Sequence, residues 1–297
     1  WWNHPRRRPL VLRGARQVGK STLVRQFAKA QQLTLCEINL ERRLALDKIF
    51  QTLNIDTIRA ELESLCGCHL SGEGTLLFLD EIQATPHALP ALRYFYEEMP
   101  SLPVIAAGSL LEFTLSKHAF SMPVGRVDYH HLSPMSFREF LMAIEPDLCR
   151  YLDMVASLQS IPEMAHMKLS QRHRQYIFVG GMPEAVLVFQ QTNSLLEARD
   201  IHRIIASTYE DDFAKYAQTA KLALVQQLYR RLPSVVGQKV KYINLSREHR
   251  ARDIKAVLDL LAKARICNLV YASHCSGIPL HADIHPSAFK LLYLDVG

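Results

Sequence analysis

Two glycines five residues apart, followed at once by a lysine and a serine, have the residue types and spacing of a loop that grips phosphate: Gly14-Ala15-Arg16-Gln17-Val18-Gly19-Lys20-Ser21. In such a loop the backbone N–H groups of Gly14, Ala15, Arg16, Gln17, Val18, Gly19, Lys20, Ser21 and Thr22 gather at the positive end of a helix and point at phosphate oxygens. Gly14 and Gly19 let the backbone bend there with no Cβ in the way. Lys20 would reach β- and γ-phosphates, and the Ser21 hydroxyl would ligate Mg²⁺. Further along, Asp80-Glu81 closes the apolar run Thr75-Leu76-Leu77-Phe78-Leu79. Asp80 is suited to the Mg²⁺ shell, and Glu81 to aligning and polarising an attacking water.

These residues need elements to hold them. Pro9-Leu10-Val11-Leu12 reads as a strand entering the loop and Thr22 to Lys29 as the helix leaving it. Gln32 to Leu40 reads as a second strand, Asp56 to Leu65 as a helix, Leu89 to Met99 as another, and Val104-Ile105-Ala106-Ala107 as a strand buried on both faces. Ser109, just beyond that strand, either reads a γ-phosphate or caps a helix expected over Leu110 to Leu115. A last core strand is expected from Val124 to Leu132. Arg126 on it is either an arginine that meets transition-state charge, in cis or from a neighbouring subunit, or a structural arginine paired with an acidic loop. Alternating strands and helices predict an open α/β sheet with ligands at the carboxyl ends of its strands.

From about Glu145 the pattern turns helical: Asp147 to Leu158, Ser170 to Phe178, Ala185 to Gln191 and Ser194 to Tyr216. Gly180-Gly181-Met182-Pro183 interrupts it with residues only a specific turn requires. Leu222 to Arg231, Asn244-Leu245-Ser246, Arg250 to Ala264 and Ile266 to Ala272 read as three helices and a β-wing. Ile254, Val257, Leu258 and Leu261 define one buried helix face, while Arg252, Lys255 and Lys263 project elsewhere.

The chain has 297 residues and a formal charge of +6, which suits an acidic partner without requiring one. No stretch is long and apolar enough to span a bilayer. Six scattered cysteines predict a reduced, cytoplasmic protein. Cys66 and Cys68 stand too close together for an ordinary zinc pair, and no second ligand pair has suitable spacing. Trp1 at the start and Gly297 directly after an apolar run suggest a fragment, and Arg6-Arg7-Arg8 reads as a solvated lead-in to the first strand.

Several ordered stretches resemble a prokaryotic family of AAA+ ATPases, related to STAND-type nucleotide switches, that carry a trailing domain of unknown function. The resemblance rests on residues 8 to 20, on Ile38-Asn39-Leu40-Glu41, Asp80-Glu81-Ile82-Gln83, Ala107-Gly108-Ser109-Leu110-Leu111-Glu112-Phe113, Pro123-Val124-Gly125-Arg126 and Leu132-Ser133-Pro134-Met135-Ser136-Phe137. It continues through Gly180-Gly181-Met182-Pro183-Glu184-Ala185, Asp211-Asp212-Phe213-Ala214-Lys215-Tyr216 and Phe289 to Gly297. Ser21 and Leu40 depart from the commoner threonine and phenylalanine. The resemblance implies a nuclease-like continuation beyond Gly297, and a turn in which Pro183 touches the adenine. The expected fold class is α/β: a P-loop NTPase core with a parallel sheet over 1–143, a helical lid over 144–220 and a winged-helix-like domain over 221–297. The expected chemistry is Mg²⁺-dependent ATP hydrolysis that moves the helical and winged-helix parts. A slow nucleotide-state switch and a DNA-associated or mobile-element ATPase are the alternatives, with DNA at the winged helix and a homo-oligomer as possible partnerships.

Overall fold

The computed structural model describes residues 1–72, 74–109, 125–155, 160–216, 219–279 and 283–297. The chain divides into two compact units, Trp1–Leu132 and Ser133–Gly297.

In the first unit, strands β1 (Leu10–Arg13), β2 (Thr34–Asn39), β3 (Thr75–Asp80), β4 (Val104–Gly108) and β5 (Asp128–His131) form one sheet in the order β2-β3-β4-β1-β5. Every neighbouring pair is parallel. Parallel neighbours need crossovers, and helices supply them: α1 (Lys20–Ala30), α2 (Leu46–Gln51), α3 (Ile55–Cys66) and α4 (Ala88–Glu98). All six residues of β3 are buried. Leu77 and Leu79 pack with Phe50, Ile58, Leu62 and Phe95 from α2, α3 and α4, whereas Leu76 and Phe78 pack with Val24 and Ala28 of α1. A strand covered on both faces has no polar alternation to show, so its run of apolar residues is continuous.

Two sequence expectations shift here. The last strand begins at Asp128, so Arg126 stands in the turn before it. The helix expected over Leu110 to Leu115 and the first residue, Val124, expected for that strand lie outside the described residues. The reduced-cysteine expectation also fails, because Cys36 on β2 and Cys66 at the end of α3 are joined as a disulfide, with Cα atoms 5.6 Å apart. They are 30 residues apart in sequence, and only the packing of α3 onto the same face of β2 brings them together. The Cys68 sulfur lies within 4.8 Å of both. With two of the three sulfurs bonded to each other, one thiol remains, too few for a soft-metal site. The arginine lead-in is tied down: Arg7 lies 4.8 Å over the Trp2 ring and Arg8 pairs with Asp128 at 3.5 Å.

The second unit opens with α5 (Phe137–Ile144), whose capping box joins Ser136 and Glu139. Helices α6 (Pro146–Met154), α7 (Glu163–Val179), α8 (Pro183–Thr192) and α9 (Leu195–Tyr216) follow. α5 packs with these helices. Phe140 stacks on Phe189 at 6.1 Å, and Leu141 packs with Leu148, Cys149 and Leu169. The rest is α10 (Thr219–Arg231), β6 (Lys239–Val240), α11 (Tyr242–Leu245), α12 (Ala251–Lys263), β7 (Cys267–Ser273) and β8 (Ile284–Tyr293). The strands form an antiparallel sheet in the order β6-β8-β7. Helix, strand, two helices and a two-stranded wing, in that order, are a winged-helix arrangement. The lid and the winged helix fall in one compact unit rather than two. Among the described residues no helix is long and apolar enough to cross a membrane.

Candidate functional site

β1 runs between β4 and β5, with Arg13 level with Gly108 on one side and His131 on the other. The loop that leaves β1 therefore starts between the carboxyl ends of two neighbours, where open α/β sheets collect ligands. Gly14 has no room for a side chain: a Cβ there would sit 2.3 Å from the Leu132 carbonyl oxygen. Gly19, the residue before α1, has φ 88°, a left-handed conformation that glycine adopts without penalty. Ala15 and Val18 are buried, Arg16 is half-buried, and Gln17 and Thr22 are exposed. The loop is thus anchored by its apolar residues.

Lys20 is only 8% exposed. Its Nζ donates to the Gly14 carbonyl at 3.1 Å and the Ala15 carbonyl at 2.7 Å, so the ammonium lies inside its own loop. Burial pulls its pKa down to about 8, against the pull of Glu81 and Asp80, and the Arg16 charge adds to the lowering. A buried, destabilised ammonium is well matched to an incoming anion.

The register of β2, β3 and β4 sets out the other half. Asp80 ends β3 level with Asn39, and its Oδ2 accepts a hydrogen bond from Ser21 Oγ at 2.8 Å. Burial pushes the Asp80 carboxyl above the usual range, the Ser21 hydrogen bond opposes it, and the neighbouring Glu81 charge raises it again. A hydroxyl and a buried carboxylate in contact form a donor set for a hard divalent cation. The residues present fit Mg²⁺ and a phosphate chain: a cation-seeking pair, Ser21 and Asp80, stands beside an anion-seeking lysine. Glu81 follows in a left-handed conformation, φ 51° and ψ 46°, rare for a residue with a side chain. Ser109, one residue past β4, is 4% exposed and its Oγ has no hydrogen-bond partner among the described residues. Since Arg13 and Gly108 are level, Ser109 and Gly14 leave neighbouring strands side by side.

Arg126 is placed differently. It precedes β5, at the amino edge of the sheet, whereas the phosphate loop leaves the carboxyl edge. Its Nε donates to Glu97 Oε1 at 2.9 Å, and Arg93 Nε reaches the same oxygen at 3.0 Å. The Arg126 bond and then the Arg93 bond hold the Glu97 carboxyl below its usual range. Action of Arg126 on its own chain's nucleotide does not fit this position. Pro183 belongs to the second unit, where it opens α8 after the Gly180-Gly181 turn. One contact carried no role in the sequence reading: Gln83 Nε2 donates to Glu81 Oε2. Its signal was a glutamine two residues beyond the glutamate, legible only once the turn between them is known.

Residues 6–141 match the family described as an AAA domain, and residues 170–297 match a domain of unknown function (DUF8612). The first of these segments is an AAA-type P-loop ATPase domain. No curated protein matches the chain. Among solved structures, the Walker-type ATPase PABY2304 of Pyrococcus abyssi is similar at 16% identity, covering 97% of this chain and 89% of that one with a TM-score of 0.49. The RuvB Holliday junction branch migration motor of Thermotoga maritima is 16% identical over 89% of this chain and 82% of that one, with a TM-score of 0.36. The replication initiator DnaA, bound to AMPPCP and single-stranded DNA, is 12% identical over 87% and 83%, with a TM-score of 0.35.

Proposed function

We propose that the chain binds ATP with Mg²⁺ on the loop Gly14 to Thr22 and hydrolyses it to ADP and phosphate. The observation that carries this reading is the bond from Ser21 Oγ to Asp80 Oδ2 beside a buried Lys20, with Glu81 next in the chain. Lys20 neutralises the β- and γ-oxygens, and Ser21 and Asp80 would hold Mg²⁺. Held by these two residues, Mg²⁺ would supply Lewis-acid stabilisation of charge on the phosphate oxygens. Glu81 orients a water and accepts a hydrogen bond from it, while the buried Ser109 hydroxyl, without a partner among the described residues, donates to the γ-phosphate. The water oxygen forms the new bond to phosphorus, the bond to the β-bridging oxygen breaks, and ADP leaves with those electrons. No covalent enzyme intermediate is required.

The test is ATP binding and turnover in two variants. Lys20→Ala loses nucleotide affinity, whereas Glu81→Gln keeps it through Ser21 and Asp80 and holds ATP with turnover reduced at least about 100-fold. Parental turnover in Glu81→Gln would show that another group prepares the water. Strong binding with little turnover in the parent supports the slow-switch alternative.

Arg126, placed away from its own phosphate loop, is assigned to a neighbouring subunit's nucleotide in a homo-oligomer. DNA is a second partner that one observation favours. Arg252, Lys255 and Lys263 are exposed on α12, and among the described residues the single ion pair on this face is Arg252 with Asp253 at 3.7 Å. If these charges meet a phosphate backbone, Arg252→Ala with Lys255→Ala weakens binding to all sequences alike and flattens the log–log salt dependence by roughly two units. An unchanged slope assigns the face to another role.

A further inference from the structure

We propose that Gln83 is the positioning residue of this site: its side-chain amide holds the Glu81 carboxylate in the attitude from which Glu81 orients the attacking water. This rests on the reading of Glu81 given above and adds a residue to it.

Glu81 is held in a left-handed backbone conformation at the head of the short 3₁₀ turn Ile82–Ala84. A glutamate gains nothing locally from that conformation, unlike glycine or asparagine, so its surroundings impose it. The turn is closed by Ala84 N donating to the Glu81 carbonyl at 2.9 Å and Thr85 N to the Ile82 carbonyl at 3.2 Å. Ile82 between them is fully buried, which pins the turn to the core. The chain thereby doubles back far enough for Gln83 Nε2 to donate to Glu81 Oε2.

The chemistry of the partner fixes which end of the amide faces it. An ionised carboxylate only accepts, so the NH₂ group must point at Glu81 and the carbonyl must point away. Gln83 Oε1 is then buried with no hydrogen-bond partner among the described residues. A glutamine serving only the fold would turn that acceptor to water. Here the donor is committed to the glutamate at the acceptor's expense. A free glutamate side chain rotates about three torsions, and clamping one carboxylate oxygen removes most of that freedom while leaving Oε1 of Glu81 for the water.

The experiment measures kcat and ATP Kd for Gln83→Ala and Gln83→Glu, on both the parental and the Glu81→Gln backgrounds. On the parental background Gln83→Ala lowers kcat about 10- to 100-fold with ATP Kd within about twofold. Gln83→Glu is slower still, because it replaces the donor with an acceptor and sets two carboxylates against each other. On the Glu81→Gln background Gln83→Ala causes no further loss, since the charge it positioned is gone. A purely structural glutamine gives the reverse: glutamate, closer in volume, is milder than alanine, and the loss repeats on the Glu81→Gln background. That pattern, or a parental rate in Gln83→Ala beside a slow Glu81→Gln, overturns the clamp and leaves the role of Glu81 standing. A parental rate in Glu81→Gln overturns the reading of Glu81 and the clamp with it.

Discussion

Lys20 shows what burying an ammonium costs. An ammonium buried among its own loop carbonyls has a pKa of about 8, against 10.5 when exposed. Between those values the unfolded chain holds a proton that the folded chain does not, so stability rises with pH across that window. The penalty is fully present below about pH 8 and gone above the unfolded value. Lys20→Met therefore raises the nucleotide-free stability of the first unit at pH 7, on the order of 1 to 3 kcal/mol, while abolishing ATP binding. Thermal unfolding at pH 7 and at pH 10 checks it: the gap between variant and parent narrows as pH rises, and a Tm that falls in the variant contradicts it.

At the scale of elements, the Gly180-Gly181 turn between α7 and α8 is the clearest case of a sequence signal whose reason lies elsewhere in the chain. Gly181 N donates to Asp295 Oδ1 at 2.8 Å, and its carbonyl accepts from Met135 N at 2.7 Å. Tyr176 Oη donates to the Met135 carbonyl at 2.8 Å. Three segments far apart in sequence thus meet at one turn: the start of α5, the α7–α8 connection and the end of β8. A Cβ on Gly181 would stand 2.0 Å from the Met135 oxygen and 2.7 Å from its nitrogen, both backbone atoms that cannot swing aside. Gly181→Ala is expected to destabilise the second unit by roughly 2 kcal/mol or more, read as a lower Tm and faster proteolysis within 133–297. Gly277→Ala is the control, since among the described residues nothing lies within 4 Å of a Cβ there. Equal losses in the two variants would mean that the turn is not packed as described.

For the molecule as a whole, the position of Arg126 makes turnover a question of concentration. An arginine at the amino edge of its own sheet, paired on the surface with Glu97, acts on phosphate only if a second copy presents one. Turnover per chain is then expected to rise with protein concentration, and Arg126→Ala to remove that rise, roughly 10³-fold at saturation, with ATP affinity nearly unchanged. A parental rate in Arg126→Ala at every concentration confines Arg126 to its surface pair. The sequence by itself determined the glycine-bounded loop between β1 and α1, the carboxylates Asp80 and Glu81 at a strand end, the buried strands and the winged-helix run of elements. These are local: fixed spacing, continuous apolar runs and helical periodicity are written within a few residues of one another. Only the tertiary structure decided that α5 joins the second unit, that Cys36 and Cys66 are bonded, that Arg126 pairs with Glu97 and that Gln83 reaches back to Glu81. Each of these depends on which face of one element meets another, or on how a turn folds back. Hydrophobic pattern fixes that a face is buried, but packing alone chooses its neighbour.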